Sequence, residues 1–188
     1  MNSKNKLIIM LVSVALVATL TMQFVILPRM QKQKEEYAKN QLNPQKHSLE
    51  SILEYQSKYM GDASNISQLY NNLPLSNIGT SFKLNPKELS IEVFYKQNTG
   101  AISDSLLQQA LVYNATASFA LIDNLQEIKY VFTGNSYIVT REIVESWYST
   151  EDLKELLTDD KWQNIVQKSL YDNDNYGMKF IDFTQGEQ

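Results

Sequence analysis

Residues 103–124, SDSLLQQALVYNATASFALIDN, form the longest stretch of helical periodicity in the chain. Apolar and small residues recur there at the three- and four-residue spacing that places side chains on one face of an α-helix. The members of this stripe are Leu107, Ala110, Leu111, Ala117, Ser118, Leu121 and Leu125, and Asn114 lies among them. The stretch predicts one long helix that packs against a core and carries a polar residue on its packed face.

Before this helix, the apolar period changes to two residues, which is the spacing of β-strands. Residues 81–84 and 89–95 alternate between apolar and polar side chains. Between them, residues 85–88 read Asn-Pro-Lys-Glu. Proline fixes one backbone dihedral of a turn and asparagine accepts local hydrogen bonds, so this segment predicts a β-hairpin.

After the helix, residues 128–132 and 137–139 flank Gly134-Asn135, a pair typical of tight hairpin turns. Residues 180–183 are apolar enough to add an edge strand. We therefore predict an α+β domain with an antiparallel four- to five-stranded sheet. In it, two hairpins flank the long helix, and helices pack on one face of the sheet.

Five shorter helices complete the predicted domain, each beginning near a capping residue. The first begins at Ser48, the second covers residues 66–72 after Asp62 or Ser64, the third covers residues 140–148, the fourth begins at Ser149 or Thr150, and the last covers residues 161–171.

The amino-terminal end predicts a membrane anchor. Residues 7–27, LIIMLVSVALVATLTMQFVIL, carry no charge and as a helix extend ~30 Å, the thickness of a hydrocarbon core. A cleaved signal peptide is the alternative, but its apolar stretch is shorter, and the best cleavage site, Ser13-Val14-Ala15, lies mid-run. We divide the chain into a tail (1–6), a transmembrane signal anchor (7–27), a polar and basic stalk (28–47) and an extracytoplasmic domain (48–188).

Charge and composition exclude several function classes. The chain has no cysteine and a single histidine, which rules out a disulfide framework, a thiolate zinc site and a cysteine nucleophile. From residue 51 onward, 18 acidic residues stand against 10 basic ones, a net charge of −8 that repels nucleic acid and anionic lipid. We expect no metal, no cofactor and no nucleic-acid partner.

Four local patterns occur in a fixed order along the body of the chain. They are Tyr59-Met60-Gly61-Asp62-Ala63-Ser64-Asn65-Ile66 leading to Asn72-Leu73-Pro74, then Ile91-Glu92-Val93-Phe94-Tyr95, then Asn114-Ala115 with residues 119–124, and Thr140-Arg141 with Trp147-Tyr148. With this set, residues 48–170 resemble a Gram-positive family catalogued as domain of unknown function 4825. The resemblance implies an exported or membrane-anchored protein with a sensing or interaction role. Some family members look like the extracytoplasmic tail of an antirepressor-type zinc peptidase, whose His-Glu-x-x-His motif is absent here.

The candidate binding residues lie in these patterns and keep two interpretations each. Asp62, Ser64 and Asn65 form either a ligand-facing loop or an N-cap. Arg141 either binds an anionic ligand or makes an ion pair, with Asp62 or Asp123 as partner.

The other candidates are Asn114, Tyr59, Trp147 and Tyr148. Asn114 either ties the long helix to a loop or contacts a ligand. Tyr59, Trp147 and Tyr148, with Tyr55 and Trp162, either line a peptide or glycan groove or belong to the core. Residues 172–177 resemble a calcium loop but lack two of its ligands, which favours a solvated turn.

These observations favour a non-catalytic, membrane-anchored domain that binds a ligand or a protein partner at the outer face of the cell membrane of a Gram-positive bacterium. One alternative is a cell-wall hydrolase that uses Asp or Glu, which needs two carboxylates across a cleft. A second alternative is a structural subunit of a membrane complex, which predicts an exposed apolar patch on the sheet or the last helices.

Overall fold

The computed structural model describes residues 2–185 and contains two compact units, Met1–Lys39 and Asn40–Gln188. The first is helical and the second is the folded domain.

Most of the first unit lies in one helix, Ser3–Gln41. By its length and composition, this helix could cross a membrane. It consists of α1 (Ser3–Thr21), a π-helical turn (Met22–Ile26) and α2 (Leu27–Gln41). Within the apolar part, the Ser13 hydroxyl donates to the Ile9 carbonyl oxygen, and the Thr21 hydroxyl donates to the Val17 carbonyl oxygen. Each of these hydrogen bonds is 2.8 Å long. These hydroxyl groups therefore need no water, which suits a hydrocarbon environment.

The folded domain contains a five-stranded sheet in the order β1-β2-β3-β4-β5. The strands are β1 (Thr80–Asn85), β2 (Ser90–Asn98), β3 (Glu127–Thr133), β4 (Asn135–Thr140) and the two-residue β5 (Thr184–Gln185). The two predicted hairpins are present, as β1 with β2 and β3 with β4. Alternate residues of β2 and β3 are buried against the helices, so one face of the sheet forms the core and the other is half-exposed.

The prediction of a wholly antiparallel sheet is wrong at its centre, where β2 and β3 run parallel. The long helix, α5 (Asp104–Leu121), explains this arrangement. Its 18 residues extend ~27 Å, about the length of the nine-residue β2, and so return the chain to the end of the sheet where β2 began. The next strand must then run in the same direction as β2.

The other α-helices of the domain are mostly short. They are α3 (Glu50–Leu53), α4 (Ala63–Asn72), α6 (Arg141–Tyr148), α7 (Asp159–Lys161), which continues as a π-helical segment (Trp162–Gln167), and α8 (Asn173–Ile181). The helix predicted to begin at Ser149 or Thr150 is instead a single 3₁₀ turn, Leu153–Leu156, capped by Asp152. Residues 180–181 are thus helical rather than part of the predicted edge strand, and β5 begins at Thr184. Leu89, predicted in β2, instead adopts a left-handed turn conformation with φ of 52°.

The core surrounds α5 on every side. Every residue from Ala110 to Ile122 is buried, rather than the single stripe that the sequence predicts. Small residues such as Ala115, Ala117 and Ser118 let neighbouring elements approach the α5 backbone closely, as expected of a helix without a solvent face. From Ala110 onward, α5 therefore places its polar side chains, Tyr113 and Asn114 among them, in the interior.

Candidate functional site

A groove of about 610 Å³ lies between two segments of the folded domain, residues 45–50 and residues 159–171. It is large enough for a small ligand. The lining residues are Gln45, Lys46, His47, Ser48, Leu49, Glu50, Asp159, Trp162, Gln163, Asn164, Gln167, Lys168 and Tyr171. Most of them are polar, so the groove is suited to a polar ligand.

Side-chain amides fix the two walls to each other. Gln45 donates from Nε2 to the Leu170 carbonyl oxygen over 2.9 Å, and Gln167 donates from Nε2 to the His47 carbonyl oxygen over 2.8 Å. Gln167 is buried and also reaches the Pro44 carbonyl oxygen at 3.3 Å. These links hold both backbones in place, so the groove is preformed rather than dependent on ligand binding.

A chain of buried hydrogen bonds lies behind the groove. His47 Nε2 is 2.6 Å from the Asn72 carbonyl oxygen, which only accepts, so Nε2 carries the proton. His47 Nδ1 therefore accepts from the Tyr113 hydroxyl at 2.8 Å, and that hydroxyl accepts from Trp162 Nε1 at 3.0 Å. Burial lowers the pKa of His47 to about 4. Both ring nitrogens are engaged, so His47 is a structural group and not a free general base.

The groove carries two cationic and two anionic side chains, Lys46, Lys168, Glu50 and Asp159. None of the four takes part in the ion pairs found within residues 2–185. Their charges are therefore available to a ligand that itself carries both signs of charge.

The predicted cluster at the start of α4 is a helix cap. Asp62 Oδ1 accepts from the Asn65 backbone N–H over 3.0 Å, and the Asn65 side chain donates to the Tyr55 carbonyl oxygen over 2.8 Å. The Ser64 hydroxyl accepts from Gln68 Nε2. Tyr59 is exposed nearby, with its ring in solvent. Capping at Asp62 is confirmed, and ligand contact at this cluster stays a prediction.

Arg141 stabilises the carboxyl-terminal end of α5. Its Nη2 donates to the carbonyl oxygens of Phe119 and Ile122 over 2.9 and 2.7 Å, and its Nε donates to that of Leu125 over 2.8 Å. The predicted partners, Asp62 or Asp123, are wrong, because Arg141 makes its ion pair with Glu145 on the same helix, at 3.6 Å. The last carbonyl groups of a helix carry partial negative charge, so the cation compensates them directly.

Asn114 ties α5 to a loop, as one of its two interpretations predicts. Its Nδ2 donates to the Pro74 carbonyl oxygen over 2.8 Å, while its Oδ1 has no hydrogen-bond partner within the described residues. The side chain is fully buried. A ligand that reached Asn114 would have to displace core side chains.

Trp147 and Tyr148 point to different neighbours. Trp147 donates from Nε1 to Asp182 Oδ2 over 2.7 Å. The Tyr148 hydroxyl donates to Thr116 Oγ1 over 3.0 Å, because the Thr116 hydroxyl itself donates to Val112. The Tyr148 ring lies 4.4 Å from the Nζ atom of Lys179. The predicted aromatic residues do not line one common groove.

The sequence-predicted residues therefore occupy several places, and of the predicted aromatic set only Trp162 lines the groove. Sequence reasoning missed the groove because its residues are ordinary polar surface types. The available signals were the single histidine beside the predicted start of the domain and Trp162 in the last predicted helix. Within the described residues, no three His, Cys, Asp or Glu side chains are grouped so as to hold a metal ion. Asp172, from the calcium-like segment, caps α8 by accepting from the Asp174 N–H.

Comparison with known families identifies the central part of the domain. Residues 52–142 match the family model described as Domain of unknown function (DUF4825), which confirms the family that the sequence patterns resemble. Neither a curated protein nor a solved structure matches the chain. The groove-lining residues all lie outside 52–142, so the groove is built by the segments that flank the family match.

Proposed function

We propose that this chain, whose residues 52–142 carry the DUF4825 domain, is a single-pass membrane protein that binds a polar ligand outside the cytoplasm. The observation that carries the anchor is the exposed apolar surface of the helix Ser3–Gln41. Every residue of α1 is exposed, and Phe24 shows 70% of its surface. An apolar surface of this size is stable only in contact with lipid or another protein.

The groove supports the binding role. Its walls are held together by Gln45 and Gln167, and its four charged side chains form no ion pair within residues 2–185. A ligand with amide groups and both signs of charge complements such a lining, and the stem peptides of a bacterial cell wall have that chemistry. The Gram-positive setting and the sensing role are part of this proposal.

The absence of cysteine offers a direct test of the membrane topology. A single cysteine at Lys87, in an exposed turn of the folded domain, should react with a membrane-impermeant maleimide in wall-stripped intact cells. A cysteine at Asn2 should react only after the cells are permeabilised. The reverse labelling pattern would place the domain inside the cell, and release of the labelled chain without its amino-terminal part would show that the anchor is cleaved.

The groove is tested with soluble cell-wall muropeptides and the full chain in nanodiscs. Replacing Lys46 and Lys168 together with Ala should weaken muropeptide binding at least about tenfold, because two charge-assisted hydrogen bonds from these lysines to the ligand are lost together. The matched control replaces Lys87 and Lys96, exposed lysines away from the groove, and should leave binding unchanged. Equal effects of both pairs would show that general charge, not the groove, attracts the ligand.

One observation favours a second candidate, a hydrolase of wall polymers. Glu50 and Asp159 line the same groove from two different elements, which is the arrangement that carboxylate-based glycoside hydrolysis needs. If this candidate is correct, the chain releases fragments from purified wall polymer, and either Glu50→Gln or Asp159→Asn abolishes that release. Binding without any release favours the binding domain.

A further inference from the structure

The helix α8 has an inverted distribution of side chains. Its only cation, Lys179, is 8% exposed, whereas Met178 and Ile181 are 64% and 80% exposed. Tyr176 is also buried on the inner side, with 3% of its surface exposed. A helix that packs by the hydrophobic effect alone would turn its aliphatic side chains inward and its lysine outward. The outer face of α8 therefore presents two aliphatic side chains, Met178 and Ile181, to solvent.

The buried lysine has defined contacts that fix the rotation of α8. Lys179 Nζ lies 4.4 Å from the centre of the Tyr148 ring and donates to the Ser169 hydroxyl over 3.1 Å. On the same inner side, Phe180 packs against Phe183 with ring centres 5.5 Å apart. These contacts hold Met178 and Ile181 outward, so their exposure follows from the packing of the whole helix.

Two carboxylates border the exposed apolar pair. Asp174 precedes Met178 by four residues, and Asp182 follows it by four, so at ~100° per residue all lie on one side of α8 with Ile181. Both carboxylates are exposed, and neither belongs to an ion pair among the described residues. Asp182 accepts one hydrogen bond, from Trp147 Nε1. The outer face of α8 thus combines two aliphatic side chains with uncompensated negative charge.

We infer that this face of α8, residues Asp174, Met178, Ile181 and Asp182, docks a partner protein through an amphipathic helix whose apolar side chains are bordered by Lys or Arg. Charge complementarity selects this occupant. A second copy of the chain would bring the same two carboxylates and a domain with a net charge of −8, and an anionic lipid surface would likewise be repelled. Met178 and Ile181 lie three residues apart on one side of α8, so a partner helix can pack its own apolar stripe, which repeats at the same spacing, against this pair.

The test uses the full chain in nanodiscs and a synthetic helical peptide of about five turns, with a leucine stripe bordered by lysines. A second peptide carries glutamate in place of every lysine. The intrinsic fluorescence of Trp147, which contacts Asp182 while Trp162 is fully buried, reports binding. The lysine peptide should bind, and the glutamate peptide should bind at least about tenfold more weakly.

Paired variants locate the contact. Met178→Ser combined with Ile181→Ser should weaken binding of the lysine peptide at least about tenfold. The exposed control pair, Tyr59→Ser with Ile165→Ser, should leave that binding unchanged. Asp174→Asn with Asp182→Asn should weaken binding and reduce its salt dependence, whereas Glu151→Gln with Asp152→Asn should change neither.

Three results would overturn the proposal. The first is equal binding of both peptides, and the second is equal effects of the test and control pairs. The third is sedimentation of the chain as a dimer that Met178→Ser with Ile181→Ser dissociates, which would assign the face to a second copy. The groove variants Lys46→Ala and Lys168→Ala should leave peptide binding intact, so failure here is distinguishable from failure of the ligand proposal.

Discussion

The Nδ1 atom of His47 lies 2.8 Å from the hydroxyl oxygen of Tyr113, and this contact joins the segment that leads into the domain to its central helix. Because His47 Nε2 donates to Asn72 and Tyr113 accepts from Trp162, one chain of hydrogen bonds connects residues from four separate parts of the sequence. Each contact in this chain has one donor and one acceptor, and no second partner replaces either. Removing any member therefore leaves buried polar atoms without a hydrogen bond.

The first prediction concerns the pH dependence of stability. Burial lowers the pKa of His47 from 6.5 to about 4, so between these values the unfolded chain binds a proton that the folded chain does not. The free energy of unfolding therefore rises with pH from 4 to 6.5, by up to about 3 kcal/mol from this group. Denaturant titrations of wild type and His47→Gln over this range measure the contribution. If both proteins show the same slope, His47 is not buried in its neutral form.

The second prediction concerns the hydroxyl at the centre of the chain. Tyr113→Phe keeps the ring but removes the donor to His47 and the acceptor for Trp162, so the free energy of unfolding should fall by roughly 1–3 kcal/mol. Tyr59→Phe is the matched control, because its ring is exposed, and should change stability by less than about 0.5 kcal/mol. Equal losses in the two variants would contradict the hydrogen-bond chain.

The third prediction concerns Arg141, which donates to three carbonyl oxygens near the end of α5. Arg141→Lys keeps the positive charge but loses the planar arrangement of N–H donors. The free energy of unfolding should therefore fall by roughly 1–3 kcal/mol. The control is Lys154→Gln, which removes the exposed ion pair with Asp123 and should cost less than about 1 kcal/mol. Chemical denaturation of both variants checks this, and tolerance of lysine at 141 would show that charge alone suffices.

How far the sequence predicts this structure depends on how local each signal is. The hairpins were predictable because Asn85-Pro86 and Gly134 impose turns within a few residues, and Gly134 has a φ of 91° that glycine adopts readily. The parallel pairing of β2 with β3 could not be predicted, because it depends on where α5 ends in space rather than on any residue of the strands. Alternation identifies a strand but not its neighbour.

The site was less predictable than the fold for a related reason. Asp62 and Thr140 cap helices through bonds to backbone atoms three residues ahead, which is a local pattern. The groove instead depends on Gln45 and Gln167, each of which donates to a backbone carbonyl oxygen more than a hundred residues away. The position of Arg141 at the start of a predicted helix indicated that its charge needs a compensating group. Backbone carbonyl oxygens provide most of that compensation, and no sequence pattern identifies them.

The fourth prediction concerns Lys179, whose burial lowers its pKa from 10.5 to about 8. The groups that face it are the Tyr148 ring and the Ser169 hydroxyl, and burial alone accounts for the shift. Between pH 8 and 10.5 the unfolded chain holds a proton that the folded chain has lost, so this group makes the free energy of unfolding rise with pH in that window. Below pH 8 the folded protein bears the full cost of a buried charge.

Lys179→Met should therefore stabilise the protein at pH 7 by roughly 1–3 kcal/mol, and the gain should shrink as the pH rises from 8 to 10.5. Lys168→Met is the control, since that side chain is exposed and should change neither stability nor its slope. Thermal denaturation of the two variants across this pH range separates Lys179 from the other lysines and tyrosines that titrate there. If Lys179→Met instead destabilises the protein at pH 7, the contact between Lys179 and the Tyr148 ring outweighs the cost of burying the charge. The orientation of α8 would then be stabilised by this contact rather than opposed by the buried lysine.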